Sequence, residues 1–367
     1  MFKKLFKGID AWLLILVIAT VAIGLLAVAS ATASFDDPTR YLLIQGGAFL
    51  IGLIFVFVIP LFDIESLASY WKWIYGIVIL LLVAVLVFGS GEASTGTSRW
   101  IKIGSFGFQP AEIVKILFIF AMAKIISNLS HDINYIKNVL LLLLLAIVPV
   151  VLIQLQPDAG TAIAFGFVFL VMMFIAGLNW RYFLYTIGGI AVLSPLIYFF
   201  VLRDYQRERI LEIFNPGSNP LGSSYQLLQS KIAIGSGQIW GSGLFKGLQT
   251  QASLLPAKQT DFIFGVVGEE MGFIGSIVLV ILLLAIIWRC FALSKRANST
   301  FNQLICVGVG ALLAFHVFEN LLMVVGLAPI TGIPLPFISY GGTNMLASMV
   351  AIGLVLAASR VHRRNGV

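Results

Sequence analysis

Charge is the scarcest property of this 367-residue chain: 11% of its residues are Asp, Glu, Lys or Arg, while 60% are hydrophobic. A soluble domain carries about 25% charged residues, so the composition excludes an ordinary water-solvated fold. The mean hydropathy of +1.02 points the same way. Cysteine is nearly absent, with only Cys290 and Cys306, so no disulfide and no thiolate metal site is expected. P-loop, Rossmann and zinc motifs are missing, and no cytoplasmic domain is left to house ATP, so no nucleotide is expected. There is also no low-complexity tract or coiled coil. The net charge of +7 lies mostly in short loops, where membrane topology accounts for it without nucleic acid.

What the chain has in abundance is apolar runs of membrane-spanning length, about 20 residues each. Ten are legible: roughly 10–33, 41–60, 71–90, 110–128, 138–155, 159–178, 181–202, 262–289, 303–328 and 335–360. The first follows a basic start and precedes small residues, as a signal peptide does. It is longer than a signal h-region of roughly 7–15 residues and reads as an uncleaved span. The expected fold is therefore an all-α polytopic integral membrane protein, a single domain over 1–367 with ten transmembrane helices. Lysine and arginine collect on one side (Lys3, Lys4, Lys7, Lys72, Lys124, Lys137, Arg181, Arg289, Lys295, Arg296, Arg360, Arg363, Arg364). The other side's short loops hold Arg40, Arg99 and Lys102. The positive-inside rule then makes both termini cytoplasmic.

This topology puts the long segment 203–261, between spans seven and eight, outside the cell as a large extracellular loop. Arg207–Phe214 reads as a short amphipathic helix in the headgroup layer, and Ser223–Ile234 as a second helix. Gly235, Gly237, Gly241, Gly243 and Gly247 follow; they suit either tight turns near a ligand or a flexible surface loop. The loop ends at Pro256–Asp261, where polar chain gives way to apolar. Ionisable groups at such a place mark a functional site by default. Glu112, Lys115, Asp158, Asp261 and Lys258 are expected to gather at this outer leaflet. Glu112 and Lys115 are three apart and share a helix face, which fits a functional pair or interhelical glue. Gln109-Pro110 and Gln156-Pro157 each open a span, placing Glu112 and Asp158 where a helix dipole favours negative charge. Glu269 and Glu270, beside glycines that allow a helix break, and His316, Glu319 and Asn320 in the ninth span read as buried, satisfied polar groups. Acids and lysines facing outward, partly in lipid, suit a substrate with an anionic phosphate and a lipid tail.

At these residues the chain resembles the SEDS family (shape, elongation, division and sporulation), most closely its RodA branch. The resemblance rests on Trp100–Lys115, Gln156–Thr161, Asn215–Gly222, Gln229–Gly237, Thr260–Phe264 with Gly268–Glu270, and Gly332–Gly342, which run in family order over nearly the whole chain. It implies a peptidoglycan glycosyltransferase that polymerises lipid II outside the cytoplasmic membrane, serving elongation and cell shape. It also implies a class B penicillin-binding protein as partner, other elongation-complex proteins, and a divalent cation, Mg²⁺ or Mn²⁺. Carried over, Asp261 matches the family's essential loop aspartate, Glu112 and Lys115 its fourth-helix pair, and Trp100 a nearby tryptophan. The expected mechanism has Asp261 as general base, with Lys115, helped by Lys258 or a metal, facing the leaving pyrophosphate. Glu112 would orient Lys115. A lipid II flippase and a non-catalytic scaffold for the transpeptidase remain as alternatives.

Overall fold

The computed structural model describes residues 10–90, 99–103, 106–202, 206–207, 209, 211 and 223–360. The long apolar runs form helices: α1 (Ala11–Thr32), α2 (Pro38–Val58), α3 (Trp71–Phe88), α4 (Pro110–Asn128), α5 (Ile136–Leu155), α6 (Ala159–Ile175) and α7 (Trp180–Leu196). After the loop helix α8 (Ser223–Ser236) come α9 (Ile263–Ser294), α10 (Thr300–Val325) and α11 (Gly342–Ser359). Short polar side chains start several of them. Asp10, Asp37, Asp158 and Ser299 each accept a backbone N–H three residues on, which satisfies donors that a helix start leaves open. The chain is thus a multi-pass membrane protein. Among the described residues eight helices are long and apolar enough to cross a membrane. The other two expected spans are present as helices: α4, which carries Glu112, Lys115 and Lys124, and α6, of 17 residues.

Helices α10 and α4 form the centre. Helix α10 packs against α9, α6, α4 and α11, while α11 lies along α2, and α1 along α9. Small residues allow the close approaches on which packing between membrane helices depends. A Cβ added to Gly52 would stand 2.6 Å from Met349, and one on Gly308 would stand 2.6 Å from Ile119. Helix α7 buries none of its residues and lies at the margin.

Two stretches depart from the expected spans. Helix α9 is broken at Gly272, whose φ of 65° and ψ of −164° are not helical. The break frees backbone groups that lipid cannot satisfy, and the loop satisfies them instead. Phe273 and Ile274 donate to the carbonyls of Gln238 and Ile239 at 2.8 and 3.2 Å, while Ser242 and Gly243 donate to those of Glu269 and Glu270 at 2.9 and 3.1 Å. The tenth span does not begin at 335: α11 starts at Gly342, and residues 330–341 are an irregular segment buried in the bundle. Pro334 and Pro336 bring no N–H to a helix there. The segment's polar groups are met by side chains: Leu335 N–H by Ser339 Oγ at 2.8 Å, Gly341 N–H by Gln45 Oε1 at 2.9 Å, and the Ile333 carbonyl by Asn320 at 2.8 Å.

A two-stranded hairpin, β1 (Ile101–Ile103) with β2 (Phe106–Phe108), precedes α4 and is the one sheet among the described residues. The loop helix expected at Ser223–Ile234 is α8. Of Arg207–Phe214, only Arg207, Arg209 and Leu211 lie within the described residues, and the motif Asn215–Gly222 lies outside them, as do the basic positions before Asp10 and after Arg360.

Candidate active site

Asp261 sits two residues before α9, at the end of the bundle that carries the long loop. It is half-buried. Its backbone is held firmly: Asn320 of α10 donates to its carbonyl at 2.8 Å, and Ser339 donates to the neighbouring Thr260 carbonyl at 2.7 Å. Its carboxylate is not held in this way, since no described group donates a hydrogen bond to it. Burial pushes the carboxyl up to about 6; Arg99 and Arg209 pull it down and Asp158 pushes it further up. A carboxylate poised near neutrality and without a donor is able to take a proton.

Three loops bring the surrounding charges. Arg99, just before the hairpin, donates to the Pro157 carbonyl at 2.6 Å and lies 3.6 Å from Asp158 Oδ2. Asp158 caps α6, accepting from Thr161 N–H at 3.2 Å and Thr161 Oγ at 3.0 Å. Arg209 of the long loop donates to the Ile330 carbonyl at 2.7 Å. Gly332 completes the wall. A Cβ there would stand 3.3 Å from Asp261 Oδ2 and 4.0 Å from Arg99 Nη1.

The expected gathering of five ionisable groups is therefore divided. Asp158 does join Asp261. Glu112 and Lys115 form a separate buried pair at 2.9 Å, which His316 of α10 completes at 3.0 Å from the Lys115 ammonium. His316 Nδ1 faces the Pro334 carbonyl at 3.4 Å, so this cluster touches the same irregular segment as the Asp261 site. Lys258 turns away. Its ammonium donates to Ser34 Oγ at 2.7 Å, the Thr250 carbonyl at 2.5 Å and Ser253 Oγ at 3.1 Å. Burial lowers its pKa, and the charges that oppose this are Glu270 and Glu269. The expectation that Lys258 faces the substrate phosphate is corrected: three protein acceptors already take its donors. Trp100 is 40% exposed and packs over Gly107 in the hairpin.

Glu269 and Glu270 are satisfied, as expected. Glu269 accepts from Gln249 N–H at 2.7 Å and from Thr250 N–H and Oγ at 2.9 and 2.7 Å. Glu270 accepts from Ser30 Oγ at 2.7 Å, Phe245 N–H at 3.1 Å and Gln251 at 3.1 Å. Arg99, Arg209, Thr331 and Gly332 were not singled out by sequence as site residues. The available signal was their place in polar motif stretches, Arg99 beside Trp100 and Gly332 at the head of Gly332–Gly342.

The described residues bring no three His, Cys, Asp or Glu side chains together where a metal ion would fit. Hard divalent cations take several oxygen ligands, and Asp158 is already committed to Arg99 and Thr161. These residues do not form a cage for Mg²⁺ or Mn²⁺.

The fold and site together define a class: a multi-pass helical membrane protein with a partly buried carboxylate and two arginines at one end of its bundle. The family model for FtsW, RodA and SpoVE, described as cell cycle protein, matches residues 10–364, and the chain belongs to that family. It is 37% identical over 320 residues to the peptidoglycan glycosyltransferase MrdB of Escherichia coli (strain K12), covering 87% of this chain and 85% of that protein. It is 34% identical to stage V sporulation protein E of Bacillus subtilis (strain 168), covering 96% and 98%. Among solved structures it resembles a chain from a peptidoglycan synthase complex that coordinates polymerization and crosslinking, with a TM-score of 0.81, 32% identity and coverage of 96% and 98%. It also resembles the rod shape determining protein RodA of Thermus thermophilus, with a TM-score of 0.72, 29% identity and coverage of 97% and 98%.

Proposed function

We propose that this chain is a peptidoglycan glycosyltransferase that polymerises lipid II into β-1,4 glycan strands at the outer face of the cytoplasmic membrane, during elongation and shape maintenance. The loop side is the outside and both termini are cytoplasmic, in keeping with the distribution of Lys and Arg. A class B penicillin-binding protein in the same membrane cross-links the product. The observation that carries the reading is the Asp261 carboxylate, which no described residue donates a hydrogen bond to and which burial pushes up to about 6, in a chain related to proteins named for this activity.

In the reaction Asp261 takes the proton from the C4 hydroxyl of the acceptor sugar as its oxygen bonds to C1 of the growing chain. The bond from C1 to the pyrophosphate oxygen breaks, and its electron pair leaves with undecaprenyl pyrophosphate. An α-linked donor giving a β linkage is inverted by this single displacement, which needs no covalent enzyme intermediate. Arg99 and Arg209, whose charges act on Asp261, stabilise the charge growing on the pyrophosphate. Glu112, Lys115 and His316 support the irregular segment 330–341 from below.

The test is glycan-strand formation from purified lipid II by the reconstituted protein and its Asp261→Asn variant, with and without the transpeptidase. The wild type makes strands and the variant does not. Translocation of lipid II without glycan would favour a flippase. Full tolerance of the substitution would favour a scaffold.

A further inference from the structure

Glu319 is a membrane-embedded acid that the mechanism above leaves unused. It lies within the last two turns of α10, half-buried, and its Oε2 atom is buried without a hydrogen-bond partner. Keeping a carboxylate in a spanning helix is costly, so such a group marks a functional role by default. The other oxygen, Oε1, accepts from Thr331 Oγ.

Thr331 precedes Gly332, the residue set against both Asp261 Oδ2 and Arg99 Nη1. Gly332 has φ of 74°, in the left-handed region that favours glycine. Any side chain there would also fill the space between carboxylate and guanidinium, which a substrate has to enter. The next residue of α10, Asn320, donates at 2.8 Å to the carbonyls of both Asp261 and Ile333. Consecutive residues of one helix therefore grip the two ends of the step Thr331–Ile333, and one of them grips Asp261 itself. Glu319 and Asp261 are also electrostatic neighbours.

We propose that Glu319 is a positioning residue for glycosyl transfer: by holding Thr331 it sets the Thr331–Gly332 wall at the distance from Asp261 at which the acceptor hydroxyl meets the carboxylate. The proposal rests on the glycosyltransferase reading. Glu319 touches neither substrate nor base; it acts through Thr331.

The experiment measures kcat and KM for lipid II polymerisation by the full-length protein with its transpeptidase partner. It compares wild type, Glu319→Ala, Glu319→Gln, Thr331→Val, Thr331→Ser and the Glu319→Ala/Thr331→Val double variant, with thermal midpoints taken alongside. A displaced wall of about 1 Å costs on the order of 10²-fold in rate, so Glu319→Ala and Thr331→Val lose kcat on that scale with KM and midpoint near wild type. Glu319→Gln, whose amide oxygen still accepts from Thr331, and Thr331→Ser, which keeps the hydroxyl, recover most of kcat. The double variant is no worse than either single one, because both remove the same contact. Wild-type kcat in Glu319→Ala, an additive loss in the double variant, or a well-folded Glu319→Gln as slow as the alanine variant would overturn the proposal. Should Glu319→Ala fail to fold, the Thr331 pair decides on the same criterion. A wild-type protein that makes no glycan would instead sink the glycosyltransferase reading.

Discussion

Asp261 and the pair Glu269–Glu270 lie eight and nine residues apart on one stretch of chain, yet the fold treats them in opposite ways. The two glutamates are buried and saturated: backbone N–H groups and hydroxyls of the glycine-rich loop and α1 occupy their oxygens. They fasten the loop to the broken helix. Asp261 is gripped through its backbone, and among the described residues nothing donates to its carboxylate, on which the charges of Arg99 and Arg209 act. Satisfied acids stabilise a structure, whereas an unsatisfied one retains chemical potential for a proton. The same residue class thus serves architecture in one place and, in the proposed reaction, supplies the base in the other.

The comparison breaks most sharply at Asp261. Replacing it with Asn removes the base, which is worth about 10²–10⁴-fold in rate, and initial-rate polymerisation assays should show a loss on that scale. Stability should move the other way. Because burial holds the folded-state pKa at about 6, above its ordinary value of 3.8, ionising the carboxylate weakens the fold progressively from about pH 3.8 to about pH 6 and fully above that. Asn relieves that penalty, so the variant's thermal midpoint in detergent should exceed that of wild type at pH 7. The gain should shrink as pH falls through 6 and vanish below about 3.8, where Asp261 is protonated in both states.

Glu269→Ala should do the reverse. It strands the N–H groups of Gln249 and Thr250, at about 1–3 kcal/mol for each unsatisfied buried group. A lower thermal midpoint and a protease-sensitive loop are expected, with Glu269→Gln milder because it keeps an acceptor. An unchanged midpoint in the alanine variant would refute the clamp.

A third comparison separates the cations. Arg99→Ala should lower kcat about tenfold or more through lost stabilisation of the leaving group, with a folded protein by circular dichroism. Lys258→Ala, which instead releases Ser34, Thr250 and Ser253, should lower stability and leave kcat of the folded fraction near wild type. Equal kinetic effects would put Lys258 back at the reaction. The mildest perturbation is pH itself. Activity of the wild type should rise through about pH 6 as Asp261 ionises and level off above it, and a rate–pH profile lacking this limb would exclude Asp261 as the base.

Much of this was legible without the fold. Asp261 stood out because it lies where polar chain meets apolar chain, and Asp158 because Gln156-Pro157-Asp158 is a helix start; both are local properties. Glu269 and Glu270 read as structural for the same kind of reason, acids beside glycines that permit a break. Lys258 misled because it is three residues from Asp261, and closeness in sequence does not set side-chain direction where the backbone turns. Arg99 and Arg209 went unnoticed because nothing local distinguishes an arginine that crosses to another loop from one that marks topology.

Hydropathy was enough to settle the membrane class and the approximate helices. A helix in lipid follows from its own residues, which satisfy their backbone groups internally. The tertiary structure alone decided where the helices stop, as at Gly272 and along 330–341, because irregular backbone in a membrane persists only where side chains from other elements, such as Gln45 and Asn320, meet its polar groups. It also decided which charges share a site. Those contacts span from 58 to 121 residues of chain, and only packing brings them together.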